Sequence, residues 1–398
     1  MRIRLSEPTY GEEEIAEVLD SLRSTRVTMG AKCAAFEAAF ANYVGTRHAV
    51  FVNSGSSANL LAWFAVANPL FPVPEGKRPW RPGAEVIVPA VTWSTTLWPI
   101  VQAGGVPVLV DCDPATLQMK PEAVEAAIGP DTVAVCPVHA LGNSCDLTAL
   151  EDICRRHGLI MMEDTCEALG TRYHGKVVGG FGLMGTYSFF FSHHITTIEG
   201  GMVVTDDDAL ADLLRCLRAH GWTRDLADKA RWGAADGGLG SRFSFVNTGF
   251  NLRPSEINGA FGLHQLRKLE GFNAQRRHAT QALLAQLEPL TASGDITIMG
   301  VTPGADPAFF GFPLLCRDNA TRDGLAAHLD AAGIEIRPII CGNMARQPAM
   351  AHVRHRIAGS LHGADQIMDA GLYFGLHPGY SDDDVLFVAA AIREYFAA

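Results

Sequence analysis

At 398 residues the chain can bury a sizeable core, and its length fits one large domain plus a smaller one better than an array of modules. Hydrophobic residues make up 48% and charged residues 19%, proportions that set intrinsic disorder aside. A formal net charge of −11 argues against nucleic acid as a partner but leaves open an anionic small molecule held by a few local donors.

No segment offers the ~18 uncharged apolar residues of a membrane span, so a soluble, cytoplasmic protein is expected. The nine cysteines are an odd number without paired CxxC spacing. They read as reduced thiols, and neither a disulfide framework nor a metal site is expected.

From Tyr10 to about Leu290 short β-branched runs alternate with helical stretches, the pattern of a mainly parallel sheet covered on both faces. In chain order the predicted strands are His48–Val52, Glu85–Val88, Val106–Val110, Thr132–Cys136, Leu159–Glu163, Thr186–Phe190 and Met202–Thr205. Crossover helices are predicted at Ser57–Val66, Leu147–Arg156 and Ala209–Ala219, where apolar residues recur at helical spacing. Pro254 then opens a long helix from Ser255 to about Leu290 that can bridge two lobes.

The remainder has strand-like Ile296–Met299 and Phe309–Leu315, a helix near Arg322–Ala332, strand-like Ile334–Arg337 and a final helix around Asp383–Phe396. Two α/β domains are therefore expected, residues 1–290 and 291–398.

The chemistry concentrates in a few segments. Asp164 ends a buried strand, at the carboxyl edge where ligands sit in open α/β sheets. Taken alone it could equally cap the following helix. Glu167, three residues on, either shares that pocket or stands solvated in a first turn. Upstream, Val52-Asn53-Ser54-Gly55-Ser56-Ser57 runs from a strand through small residues into a helix, a phosphate cradle or an ordinary turn and cap.

The stretch Glu163-Asp164-Thr165-Cys166-Glu167, followed by Ser188, Ser192-His193-His194 and Glu199-Gly200-Gly201, resembles the DegT-type sugar-nucleotide aminotransferases over nearly the whole chain. The resemblance implies the aspartate-aminotransferase fold and pyridoxal 5'-phosphate as cofactor. Asp164 would keep the pyridine nitrogen protonated, making the ring an electron sink. Trp93, within Val88–Thr96, would stack on the ring rather than fill a core; Ser56, Ser57 and Ser188 would hold the phosphate, and Glu167 would join the cofactor site. Asn251 would reach the phosphate from the neighbouring subunit of a homodimer with shared active sites. Arg253 would serve substrate binding or structure.

In that family the lysine that holds the cofactor covalently stands five residues after the serine matching Ser188, and here that place is His193. The six lysines, Lys32, Lys77, Lys120, Lys176, Lys229 and Lys268, leave none between Ser188 and Thr205. An imidazole cannot form an imine, yet it keeps acid–base capacity near neutral pH.

The histidine resembles that of the family's 3-dehydratases, and His220 matches a second histidine of theirs, although a helix-end histidine on terminal carbonyls is an equal reading. Between Cys216 and Cys316 there is no cysteine, so the resemblance points to the branch without an iron–sulfur cluster.

The expected function is thus a glutamate-dependent dehydratase that uses the pyridoxamine 5'-phosphate form of the cofactor. Its substrate would be a nucleotide-linked 4-keto-6-deoxy sugar, by resemblance GDP-4-keto-6-deoxy-D-mannose. A sugar aminotransferase that tolerates the histidine, or a non-catalytic sugar-nucleotide-binding relative, are the alternatives.

Overall fold

The computed structural model describes residues 2–233 and 239–397. Its centre is an eight-stranded sheet in the order His48–Val52, Gly201–Thr205, Met184–Ser188, Ile160–Asp164, Thr132–Val135, Glu85–Pro89, Val106–Val110 and Arg356–Ile357. All strands run parallel except Gly201–Thr205, which is antiparallel to both neighbours. Central strands such as Val106–Val110 are buried along their whole length, as sheets covered on both faces require.

Crossover helices start and stop where the chemistry of their ends dictates. Asp146 accepts a hydrogen bond from the Ala149 N–H ahead of Leu147–His157, and Gly158 leaves that helix in the left-handed conformation (φ 65°). The helix Glu256–Ser293 is 38 residues long and opens on a capping box between Ser255 and Asn258. Its N-terminal half packs on the helices Glu12–Arg23 and Ala31–Val44, and its C-terminal half packs on the smaller lobe through Leu283 and Leu287.

That lobe carries a four-stranded antiparallel sheet in the order Ile296–Ile298, Gly311–Cys316, Gly371–Gly375 and Ile336–Arg337. The chain is interleaved across the expected boundary near Leu290. Ile3 bridges to Ile334, and Arg356–Ile357 returns to pair with Val108 and Leu109 of the large sheet.

Several sequence expectations shift, most by one or two residues. The strand read as Thr186–Phe190 is Met184–Ser188, because Ser188 pairs with Gly201 and ends the ladder there. The helices Glu12–Arg23 and Ala31–Val44 precede the first strand, and the sequence reading assigned neither. No helix of the described residues is long and apolar enough to cross a membrane.

Candidate active site

Four strands bring their carboxyl ends to one edge of the sheet, at Val52, Pro89, Asp164 and Ser188, and Gly201 begins its strand at the same edge. There they line a cavity of about 400 Å³ whose wall includes Gly55, Trp93, Asp164, Glu167, Ser188 and His193. Phe310, Ile340 and Tyr373 close it from the smaller lobe.

Asp164 is buried, and its carboxylate is held from two sides. Oδ2 accepts from Asn59 Nδ2 at 2.9 Å and from Thr96 Oγ1 at 2.8 Å, while Oδ1 accepts from the Cys166 N–H at 3.2 Å. Thr186 fixes Asn59 in turn, its hydroxyl donating to Oδ1 of Asn59 at 2.7 Å. Held this way, the carboxylate is aimed into the pocket instead of capping a helix. Its neighbour Glu163 points away from the cavity and anchors the strand, accepting from the Gly179, Phe181 and Gly182 N–H groups at 2.7 to 2.8 Å.

The helix Gly55–Val66 presents its first turn to the pocket, where N–H groups without intrahelical acceptors meet the positive end of the helix. Gly55 is required by space: a Cβ there would lie 2.5 Å from Ser188 Cβ and 2.8 Å from its Oγ. Gly201 is required likewise, because a Cβ would stand 2.3 Å from the Ser54 carbonyl oxygen. Both glycines let the helix start approach the Ser188 strand closely enough to form one anion cradle.

Of the two serines expected on a phosphate, Ser56 lines the cavity and Ser57 does not. The Ser57 hydroxyl donates to Asn53 Oδ1 at 2.6 Å and accepts from Ser54 Oγ at 2.9 Å, and its N–H donates to Ser54 Oγ at 3.0 Å. Ser57 therefore braces the helix cap, and Ser54 takes a place on the wall.

Trp93 is no core tryptophan: it is 56% exposed and stands at the pocket rim, at the N-cap of the helix Ser94–Gln102. Glu167 lines the cavity as well, half-buried and accepting from the Leu141 N–H at 2.9 Å. Burial pushes its pKa up to about 7, with the Leu141 N–H opposing the rise and Asp164 adding to it.

His193 lines the cavity five residues after Ser188. Its Nδ1 lies 2.8 Å from the Cys166 carbonyl oxygen, which can only accept, so Nδ1 carries the proton and Nε2 is left as a base. The ring packs edge-on against Phe310 with centroids 5.1 Å apart. Burial pushes the imidazole pKa down to about 4, the Cys166 carbonyl pulling the other way. No lysine lines the cavity; Lys176, for example, sits in the Arg172–Val177 hairpin.

His220, Asn251 and Arg253 gather elsewhere, at the surface and outside the cavity wall. Arg253 donates through Nε to Asn251 Oδ1 at 3.0 Å and meets His220 Nε2 at 3.3 Å, while Ala219 bridges to Asn251. His220 holds a left-handed backbone (φ 64°) with its N–H on the Phe250 carbonyl at 2.7 Å, so it is not a helix-end histidine on terminal carbonyls of its own helix.

Sequence reasoning left Asn59, Thr96, Glu199, Phe310, Ile340 and Tyr373 without a role. Thr96 stands inside the segment quoted for the tryptophan and Asn59 just past the one quoted for the cradle, and their spacing on helical turns was the available signal. The last three come from the smaller lobe, beyond any local pattern.

A strand-end acid facing a glycine-spaced anion cradle, with an aromatic rim between them, defines a cofactor pocket of the aspartate-aminotransferase-like fold. The chain belongs to the DegT/DnrJ/EryC1/StrS aminotransferase family, whose model matches residues 8–393. It is 39% identical over 381 residues to the GDP-4-keto-6-deoxy-D-mannose 3-dehydratase of Yersinia pseudotuberculosis, covering 94% of this chain and 93% of that one. Two crystal structures of GDP-4-keto-6-deoxymannose-3-dehydratase are similar throughout. One, a variant with bound GDP-perosamine, has a TM-score of 0.92 at 33% identity and covers 98% of this chain and 100% of its own. The other, with glutamate trapped on pyridoxal phosphate, has a TM-score of 0.91 at 33% identity and the same coverage.

Proposed function

We propose that this chain is a glutamate-dependent 3-dehydratase of a nucleotide-linked 4-keto-6-deoxy sugar, with pyridoxal phosphate as its cofactor and GDP-4-keto-6-deoxy-D-mannose as its substrate. The observation that carries the reading is His193: an imidazole, held with Nε2 free, lines a cavity that no lysine reaches.

The residues present suit the cofactor. Asp164, held by Asn59 and Thr96, would face the ring nitrogen. Trp93 would cover the ring, and the N–H groups of Gly55 and Ser56 with the Ser188 hydroxyl would hold the phosphate. Glu167 completes the wall beside it. When bound and aminated by glutamate, the cofactor supplies an electron sink that lets a proton leave the carbon attached to nitrogen and the C3 hydroxyl depart.

His193 does the proton work. Its Nε2 accepts the proton, and the hydrogen bond from Nδ1 to the Cys166 carbonyl fixes the ring while it does so. Burial makes the resulting imidazolium a strong acid, suited to hand its proton to the departing hydroxyl. The products are a 3,6-dideoxy-4-keto sugar, ammonia and, from glutamate, 2-oxoglutarate. No iron–sulfur cluster is invoked: Cys136, Cys145 and Cys154 are buried core thiols whose pKa values burial pushes up, away from the thiolate a cluster ligand must be.

The exposed His220, Asn251 and Arg253 group would complete the pocket of a second copy in a homodimer. Residues 1–290 would form the cofactor-binding domain and 291–398 the smaller one, in a cytoplasmic enzyme. Incubating the protein with pyridoxal phosphate, glutamate and GDP-4-keto-6-deoxy-D-mannose should release ammonia and a sugar lighter by one oxygen. An aminosugar formed without ammonia would make the chain an aminotransferase and overturn the reading.

A further inference from the structure

Behind His193 lies a buried polar layer that the reaction as described does not use. His194 is fully buried and turns away from the cavity, placing Nε2 2.8 Å from the Ala308 carbonyl oxygen. Arg276, on the long helix and 3% exposed, donates Nη1 to the carbonyl oxygens of Phe309 at 3.3 Å and Phe310 at 3.1 Å. Three consecutive carbonyls are thus held by two side chains.

The same segment is pinned by its N–H groups. Ala308 donates to Thr171 Oγ1 at 2.9 Å and Phe310 to the Leu141 carbonyl at 3.0 Å. Phe310 then packs its ring against both histidines, with centroids 5.1 Å from His193 and 5.9 Å from His194.

Arg276 is unusual in its charge. No carboxylate pairs with it among the described residues, and burial pushes its pKa down to about 10. Two neutral carbonyls could be served by a neutral amide, without the desolvation cost of an unpaired guanidinium. A positive charge beside an imidazole does what an amide cannot: it disfavours a second positive charge. The groups that face His193 are few. Arg276 approaches from the long helix, Asp164 and the Cys166 carbonyl from the strand end, and Glu167, Glu199 and Tyr373 from the cavity wall, with His194 adjacent in the chain.

We propose that His194 and Arg276 are positioning residues for the base. They clamp Ala308 to Phe310 so that Phe310 fixes the His193 ring, and the unpaired Arg276 charge adds to burial in disfavouring a second positive charge there. The inference rests on the dehydratase reading only for its rate measurement.

The test compares holoenzyme of the wild type with Arg276→Gln, Arg276→Lys, His194→Gln and His194→Leu. The readouts are NMR titration of the His193 imidazole in histidine-labelled protein and the pH profile of kcat/KM. Arg276→Gln should raise the His193 titration and the acid limb together by about one pH unit, and Arg276→Lys should leave both in place. His194→Leu should lower kcat about tenfold at unchanged KM, because a misplaced base costs rate without costing binding, while His194→Gln retains a donor to Ala308 and most of the rate.

An Arg276→Gln titration equal to wild type, or equal effects of Gln and Lys, overturns the charge role. Equal kcat in the two His194 variants overturns the clamp. Should Arg276→Gln fail to fold, the His194 pair decides on the same readouts. If the titration shifts as stated but the wild type releases no ammonia, the dehydratase reading fails and the positioning role stands.

Discussion

Acidification from pH 7 to pH 5 should leave the base in working form, where an ordinary histidine would lose it. Burial pushes the His193 pKa from 6.5 to about 4, against the pull of the Cys166 carbonyl and with Arg276 adding to the fall. At pH 5 about 90% of such imidazole is neutral, against about 3% at the ordinary pKa, a roughly 30-fold difference in competent enzyme. The sign for stability follows from the same depression. The unfolded chain takes up the proton first, so stability is fully present above pH 6.5 and is lost as the pH falls toward 4. The difference between 6.5 and about 4 is worth up to about 3 kcal/mol. Measuring kcat/KM for ammonia release from pH 4 to 8, beside urea melts of wild type and His193→Asn, checks both. An acid limb near pH 6.5, with melts of wild type and variant parallel throughout, would refute the reasoning.

Three other outcomes are expected. His193→Lys restores an amine to the pocket, so the cofactor should survive exhaustive dialysis as a covalently held chromophore while dehydration is lost; full retained dehydration would remove the histidine's role. Gly55→Ala drives a Cβ to 2.5 Å from Ser188 Cβ, and overpacking of about 1–3 kcal/mol should weaken cofactor binding at least tenfold in an absorbance titration, with partial recovery in Gly55→Ala/Ser188→Gly. Glu167, raised to about 7, contributes stability that is present below pH 4.5 and lost as the pH rises through 7. Glu167→Gln should therefore stabilise the cofactor-free protein at pH 8 by about 1–2 kcal/mol and leave it unchanged at pH 4, as urea melts would report.

Local pattern located the large sheet well. His48–Val52 and Val106–Val110 are buried β-branched runs, and their ends fall where the sequence puts them. The helices Glu12–Arg23 and Ala31–Val44 escaped because each starts after a glycine, Gly11 or Gly30, that has no capping side chain of its own, and in the first the cap falls to Glu14, which accepts from the Gly11 N–H at 2.8 Å. The second also buries Cys33, Phe36, Phe40, Ala41 and Val44, too broad a face to read as one apolar stripe.

The sequence by itself determined the chemistry that depends on residue identity. Six lysines, none near Ser188, make His193 the only basic side chain available at that turn apart from its neighbour His194, and Asp164 at a strand end marks the acid. Tertiary structure decided what each group does. It turned Ser57 into a brace for the helix cap, gave Gly55 the close approach to Ser188, and set the Cys166 carbonyl on Nδ1 so that Nε2 is left without the proton. It also brought Phe310, Ile340 and Tyr373 from the smaller lobe to the pocket, and the unpaired Arg276 on the bridging helix to the layer behind it. Identity is written residue by residue. Hydrogen-bond direction, tautomer and local field are properties of neighbours that only the fold supplies.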